Sequence, residues 1–303
     1  MITSTRNIHS ALAPSALSLS AVTLLVLAVA HADTPKWPAS WSEPQQPFRI
    51  HGNTYYVGMH GLSSILITSE QGHVLIDGAM ADSLPQIVAN IRALGFKIED
   101  VKLIVNSHVH FDHAGGIAEL QRRSGASVAA SKSSARTMRK GSVERDDPQY
   151  GNIPAIAAVD KVKVVRDGAT LRVGLLALTM RATPGHTPGG SSWTWRSCEQ
   201  NSCLNMVYAD SLNSISAPDF LFTKNKYYPN AIKDFEKSFK VLSAMPCDVL
   251  LAPHPEFSDL FAKLQQREQS ANAQPFTDTA ACGKYVDAAR ERLNKRIAEE
   301  NAR

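Results

Sequence analysis

Apolar positions along this chain change between two periods, and the changes mark its elements. Residues 48–50, 54–57, 64–68 and 73–76 are short, β-branched and aromatic, and turn signals at 51–53 and 69–72 separate them. That pattern predicts a meander of strands. Residues 83–95 switch to the helical period: Leu84, Ile87, Val88, Ile91 and Leu94 share a face, Pro85 lies in the first turn and Gly95 follows the end. Val101–Val105 is nearly all apolar and predicts a buried strand. A helix over 114–123, a strand over 128–130 and a helix over 133–140 follow. Residues 141–158 carry no period and read as a long loop. A second half has strands over 162–165, 171–173, 175–181, 191–195 and 204–209, a helix over 231–245 and a strand over 249–252. Helices over 259–266 and 281–298 close the chain. This order predicts an α/β protein of two sheets packed face to face with helices outside, in two halves that divide near 160–170.

Polar residues of one kind gather where strands end. Directly after 101–105 come Ser107-His108-Val109-His110-Phe111-Asp112-His113-Ala114-Gly115-Gly116. The carboxyl end of a strand is where open α/β sheets bind ligands. His186 lies in the rigid turn Thr183-Pro184-Gly185-His186-Thr187-Pro188-Gly189-Gly190, and His254 lies between Pro253 and Pro255 after another strand. Five imidazoles and one carboxylate are too many for one tetrahedral zinc, which takes three protein ligands and a water in a catalytic site. They divide between two ions. His108 and His110, two apart in an extended turn, point the same way and share one. Asp112 and His113, beyond the bend, serve the other, and His186 and His254 complete one set each. Imidazole with a single carboxylate favours zinc. His51, His60 and His73 have no such context and read as structural.

Residues 1–32 differ from the rest. Arg6 is their only charge, residues 16–30 are apolar but for Ser and Thr, and Ala30-His31-Ala32 is a small-x-small cleavage site. They read as a signal peptide cleaved after Ala32, with export to the periplasm. The remainder, 33–303, reads as one domain with an irregular arm over 33–47. Removing Arg6 from the formal charge of +4 leaves +3, too weak for a nucleic-acid partner. No later segment is apolar enough to cross a membrane, and no assembly element stands out, so a monomer is expected. Cys198, Cys203, Cys247 and Cys282 all lie in the exported part and read as two disulfides, for which three pairings exist. Cys198 and Cys203 flank a hairpin tip, so their pairing is local and Cys247–Cys282 is the remainder.

The run His108-Val109-His110-Phe111-Asp112-His113 resembles the H-x-H-x-D-H signature of the metallo-β-lactamase superfamily, and His186 and His254 fall where its later ligands stand. Subclass B3 resembles the chain most. Gly185–Gly190 runs into Ser191-Ser192-Trp193-Thr194-Trp195, Ser211 stands where other subclasses carry a metal-binding Cys, and a late Cys pair is present. The resemblance implies a four-layer αββα sandwich and two zinc ions. His108, His110 and His186 would hold the first, and Asp112, His113 and His254 the second. It implies hydrolysis of the β-lactam amide of penicillins, cephalosporins and carbapenems by a zinc-bound hydroxide, with antibiotic resistance as the result, and Asp112 orienting the nucleophile. Ser211 and Asn213 would bind the substrate carboxylate, and Tyr150 and Ile153, in a lip over 141–158, its side groups. The signature is shared by dizinc lactonases and thioesterases, which use an Asp that bridges both ions. Asp210 stands in the right neighbourhood, but on a strand only one of Asp210 and Ser211 can face the metals, and the context favours Ser211.

Overall fold

Residues 65–67, 73–76 and 103–105, in the middle of the first sheet, are buried on both faces, which is why they read as nearly unbroken apolar runs. A computed structural model describes residues 1–5, 37–200, 202–270 and 274–302. The expected signal peptide, residues 1–5 apart, lies outside the described residues. All the elements below fall within one compact unit, Trp37–Arg303.

The first sheet consists of β1 (Phe48–His51), β2 (Thr54–Tyr56), β3 (Ile65–Ile67), β4 (His73–Ile76), β5 (Val101–Val105), β6 (Ser127–Ala130) and β7 (Val162–Val164), in that spatial order. Strands β1 to β4 pair antiparallel, and β4 to β7 pair parallel. Parallel neighbours need crossovers, supplied by α1 (Leu84–Ala93), by α2 (Phe111–Ala114) with α3 (Ile117–Ser124), and by α4 (Lys132–Lys140). The second sheet has the order β12-β11-β10-β9-β8, built from β8 (Thr170–Val173), β9 (Leu176–Ala182), β10 (Ser191–Glu199), β11 (Ser202–Tyr208) and β12 (Val249–Leu251). Helix α5 (Ala231–Ser243) links β11 to its parallel neighbour β12, and α6 (Leu260–Gln269) and α7 (Ala281–Asn301) follow.

Alternation along the strands sorts the core into three layers of contact. Ile65, Ile67, Val74, Ile76, Leu103 and Val105 meet Trp193, Met206, Tyr208 and Leu251 between the sheets. Their neighbours Leu66, Leu75 and Ile104 turn the other way, onto Ile87 and Ile91 of α1, Ile117 and Leu120 of α3, and Met138 of α4. Val207 and Leu250 face Phe235 and Phe239 of α5 and Tyr285, Ala289 and Leu293 of α7. The result is the four-layer αββα sandwich. Each such aliphatic side chain contributes ~1.5–3 kcal/mol by leaving water. Trp193, fully buried, also donates its indole N–H to the Asn106 carbonyl at 3.0 Å, which pins the sheets together where the chain leaves β5.

Two expectations are corrected. The strand read at 162–165 does not open the second sheet: as β7 it pairs parallel with β6 and closes the first. The helix expected over 114–123 is two pieces, with Gly115-Gly116 at the join. A Cβ at Gly116 would lie 2.4 Å from the Gly78 carbonyl oxygen, so only glycine lets the chain cross there. Disulfides join Cys198 to Cys203 across the β10–β11 hairpin, and Cys247 to Cys282, which ties the approach to β12 to the first turn of α7.

Candidate metal centre

The His/Asp run leaves β5 on a buried carboxylate. Asp77, at the end of β4, accepts from Asn106 Nδ2 at 3.0 Å, the Ser107 amide at 2.8 Å, Ser107 Oγ at 2.6 Å and the Tyr208 hydroxyl at 2.8 Å. Four donors converging on one fully buried group fix the residue just before His108. Asp77 and Ala79 hold φ of +60° and +50°, a region uncommon for residues with a side chain, so strain is concentrated beside the run. Residues 107–110 are irregular, and Phe111–Ala114 is a helical turn. Asp112 and His113 therefore leave the chain beyond a bend, on a different trajectory from His108 and His110.

The structure brings all six expected ligands together in two groups. His108, His110 and His186 offer ring nitrogens within 4.8 Å of one another, and Asp112, His113 and His254 do the same. The rings of His108 and His113 are 4.5 Å apart, so the groups are adjacent. The turn carrying His186 is fixed from several sides. Ser131 and Ser134 at the start of α4 both donate to the Gly189 carbonyl, at 2.7 and 3.0 Å. A Cβ at Gly185 would lie 2.7 Å from the Phe235 ring, and one at Gly190 would lie 2.4 Å from Asp210 Oδ2. His254 follows β12 and leans on Trp41, its ring centroid 5.1 Å away.

The outer face of each ring determines which nitrogen points inward. His108 Nδ1 pairs with Asp210 Oδ1 at 2.8 Å, His186 Nδ1 with the Asn213 carbonyl at 2.7 Å, and His254 Nδ1 with the Gly61 carbonyl at 3.2 Å. These partners accept, so Nδ1 carries the proton and Nε2 presents a lone pair to the centre. His110 is reversed: its Nε2 lies 3.2 and 3.1 Å from the two carboxylate oxygens of Asp147, which leaves Nδ1 inward. An outer hydrogen bond of this kind fixes tautomer and orientation at metal-binding histidines.

The donor set fits a cation. His108 Nε2 and both nitrogens of His113 are buried without a hydrogen-bond partner, a costly state for polar atoms. His113 Nε2 lies 3.1 Å from Asp112 Oδ2 without hydrogen-bond geometry, as two donors aimed at one ion would. Burial and the surrounding imidazoles push His108 well below the usual histidine range and His186 down to about 3, so both rings are neutral. Burial alone would raise the Asp112 carboxyl, but His113 and His254 outweigh it and hold it well below the usual range. Neutral imidazole and ionised carboxylate are the forms that bind metal.

Of the expected substrate residues, Ser211 and Asn213 are buried beside the first group and Tyr150 is half exposed. Ile153 is partly buried. The choice between Asp210 and Ser211 rested on strand alternation, but β11 ends at Tyr208, so alternation does not govern them. Asp210 is fully buried and faces the outer edge of His108; its amide donates to Ser192 Oγ, and its carbonyl accepts from the Tyr285 hydroxyl. Three participants were missed in the sequence: Asp77, Asp147 and the Trp37/Trp41 pair that packs on Phe111. Asp146-Asp147-Pro148 in an aperiodic loop was the available signal for the second. His51, His60 and His73 pack instead against Glu199, Phe261 and Phe96.

Residues 58–199 match the family model of the metallo-β-lactamase superfamily. The solved structure of the Rm3 metallo-β-lactamase is 55% identical with a TM-score of 0.85, covering 87% of this chain and 97% of that one. MEM-A1, a subclass B3 metallo-β-lactamase from a soil metagenome library, is 50% identical with a TM-score of 0.84, covering 86% and 99%. Among curated relatives, a probable metallo-hydrolase of Burkholderia pseudomallei is 30% identical over 112 residues, 35% of this chain and 34% of that one. An N-acyl homoserine lactonase of Bacillus cereus is 34% identical over 74 residues, 17% of this chain and 30% of that one. The chain thus spans about a third of the length of each curated relative it matches. Carrying this fold and matching solved structures over nearly their whole length, the chain belongs to the metallo-β-lactamase superfamily and resembles its subclass B3 members.

Proposed function

We propose that this protein is a zinc-dependent β-lactamase, exported to the periplasm, that hydrolyses the amide of penicillins, cephalosporins and carbapenems as a monomer and so confers resistance to them. The observation that carries the reading is the pair of adjacent three-donor groups, each with its lone pairs directed inward. His108, His110 and His186 would hold the first zinc, and Asp112, His113 and His254 the second. Bound there, the two ions supply an activated water at neutral pH and Lewis-acid polarisation of the reacting amide.

The residues do the rest. Asp112 Oδ2 faces His113 and His254, which leaves Oδ1 to accept a hydrogen bond from the attacking water and orient it. Ser211 Oγ and Asn213 Nδ2 donate to the substrate carboxylate and set the amide over the centre. Tyr150 and Ile153 meet the side groups from the lip. No nucleophilic serine is needed. The exported state agrees with two disulfides and the absence of free thiols among the described residues. No helix among the described residues is long and apolar enough to cross a membrane.

A second reading, a dizinc lactonase, rests on the shared ligand run. One comparison separates them: hydrolysis of nitrocefin and a carbapenem against hydrolysis of an acyl-homoserine lactone, each with and without EDTA. β-Lactam turnover that EDTA abolishes and zinc restores supports the proposal. Lactone turnover alone contradicts it.

A further inference from the structure

The lip segment reaches the centre through a single buried carboxylate. Asp147 is 5% exposed, and both its oxygens lie within 3.2 Å of His110 Nε2. The same carboxylate accepts the Gln149 amide at 2.8 Å, and the Asp147 carbonyl accepts the Tyr150 amide at 3.1 Å. Pro148 stiffens the turn, and its carbonyl accepts the Ala217 amide at 2.8 Å. Ala217 belongs to the stretch that begins at Asn213, whose carbonyl holds His186 Nδ1. Two of the three rings of the first group are thus oriented by the two segments that border the substrate. Those segments are bonded to each other. In the second group, by contrast, His254 is held by the Gly61 carbonyl, which belongs to neither segment.

We propose that Asp147 is a positioning residue that selects the Nδ1-inward form of His110 and so couples the order of the 144–150 lip to occupancy of the first metal site alone. This rests on the reading of His108, His110 and His186 as metal ligands. His110 is the one ring whose outer nitrogen is Nε2, so its orientation has to be imposed by a partner placed differently from the others. Among the described residues, Asp147 is the one that hydrogen-bonds that nitrogen. The Gln149 side-chain amide nitrogen lies 3.4 Å from Nδ1 and competes for the same lone pair, so without Asp147 nothing holds the ring against that competitor. The coupling is reciprocal: an ion on His110 fixes the ring, the ring fixes Asp147, and Asp147 fixes the amides of the lip.

The test is zinc titration of the metal-free full chain by competition with a chromophoric chelator, on wild type, Asp147→Ala and Asp147→Asn. Each is also made in the His186→Ala and His254→Ala backgrounds. Asp147→Ala is expected to weaken one of two zinc equivalents by about 10- to 100-fold, the usual effect of removing an outer partner of a ligand. The loss appears in the His254→Ala background, where the first site remains, and is absent in the His186→Ala background. Asp147→Asn, whose amide oxygen still accepts from Nε2, recovers part of the affinity, and it keeps the shape of the site should the alanine variant fold poorly. Hydrogen exchange reads the second half of the proposal: zinc slows exchange at Gln149 and Tyr150 in wild type but not in Asp147→Ala. Unchanged affinity at both sites in the variants, or a loss at the Asp112–His113–His254 site, overturns the proposal. A wild-type chain that binds no zinc overturns the metal reading itself, and this assignment with it.

Discussion

His186 donates through Nδ1 to the backbone carbonyl of Asn213 at 2.7 Å, while the Asn213 side-chain oxygen is buried without a partner. The carbonyl orients a ring; on the proposed reading the side-chain Nδ2 of the same residue donates to the substrate carboxylate, so one residue would serve two tasks with different atoms. Asn213→Ala keeps the first task and removes the second. It is expected to raise KM with kcat little changed and zinc content unaltered. The loss in kcat/KM should be about 10-fold or more, as for one hydrogen bond to a charged group. Steady-state kinetics with metal analysis check this, and a fall in kcat with lost zinc would place the side chain on the metal instead.

Asp112→Asn replaces the one carboxylate of the second group with an amide of the same size. Turnover is expected to fall by about a hundredfold or more, the usual cost of a misplaced reacting group, while the circular dichroism spectrum is kept. Near-normal kcat in variant protein shown to carry both ions would remove Asp112 from the chemistry.

At the far end of α7, Glu300 holds the segment after Asn213 in place. Its buried carboxylate accepts from the Phe222 amide at 3.0 Å, the Thr223 amide at 2.9 Å and Arg296 Nε at 2.7 Å. Burial raises the Glu300 carboxyl, but the Thr223 and Phe222 amides and Arg296 outweigh it and hold it below the usual carboxylate range. A carboxyl depressed in the folded state adds stability that is complete above its unfolded pKa, about 4.3. That stability is lost as pH falls through the lower folded value. Glu300→Gln is therefore expected to lower stability at pH 7 by on the order of 2 kcal/mol, with the gap to wild type closing in acid. Thermal melts from pH 7 to 3 measure it, and a gap independent of pH would argue for shape rather than charge.

The two disulfides should differ in weight. Cys247–Cys282 closes a separation of 35 residues and Cys198–Cys203 one of 5. On loop entropy the first contributes about 4 kcal/mol and the second about 2. Replacing Cys247 and Cys282 by Ser should lower Tm more than replacing the hairpin pair. It should also lower kcat/KM, because Tyr285, three residues past Cys282, donates to the Asp210 carbonyl at 2.8 Å and accepts the Leu212 amide at 3.2 Å. Equal melting of the two variants would contradict this ordering.

What was legible in the sequence follows from how local each signal is. Val101–Val105 and its neighbours are read as strands because burial on both faces leaves an apolar run. The six donors are read because each follows a strand end, four of them in one dense run and His186 and His254 in turns of proline and glycine or proline alone. Pairing is not local: nothing within 162–165 says that it lies beside Ser127–Ala130 rather than Thr170–Val173. The outer partners are less local still. Asp77 reaches Tyr208 across 131 positions, and Asp210 reaches His108 across 102. A lone aspartate carries no mark of such a partner, so the clustering of the six donors was readable and the groups that aim them were not. The split of the 114–123 helix was missed because Gly116 answers to the distant Gly78 backbone, not to its own neighbours.

The central claim is that two adjacent zinc sites perform β-lactam hydrolysis. The direct measurement is calorimetric titration of the metal-free protein with zinc, with carbapenem hydrolysis followed on the same samples. The account predicts two equivalents bound per chain, no hydrolysis before zinc is added, and activity that rises with occupancy to a plateau at the second equivalent. Hydrolysis by metal-free protein, or full loading with two equivalents and no β-lactam turnover, would contradict it.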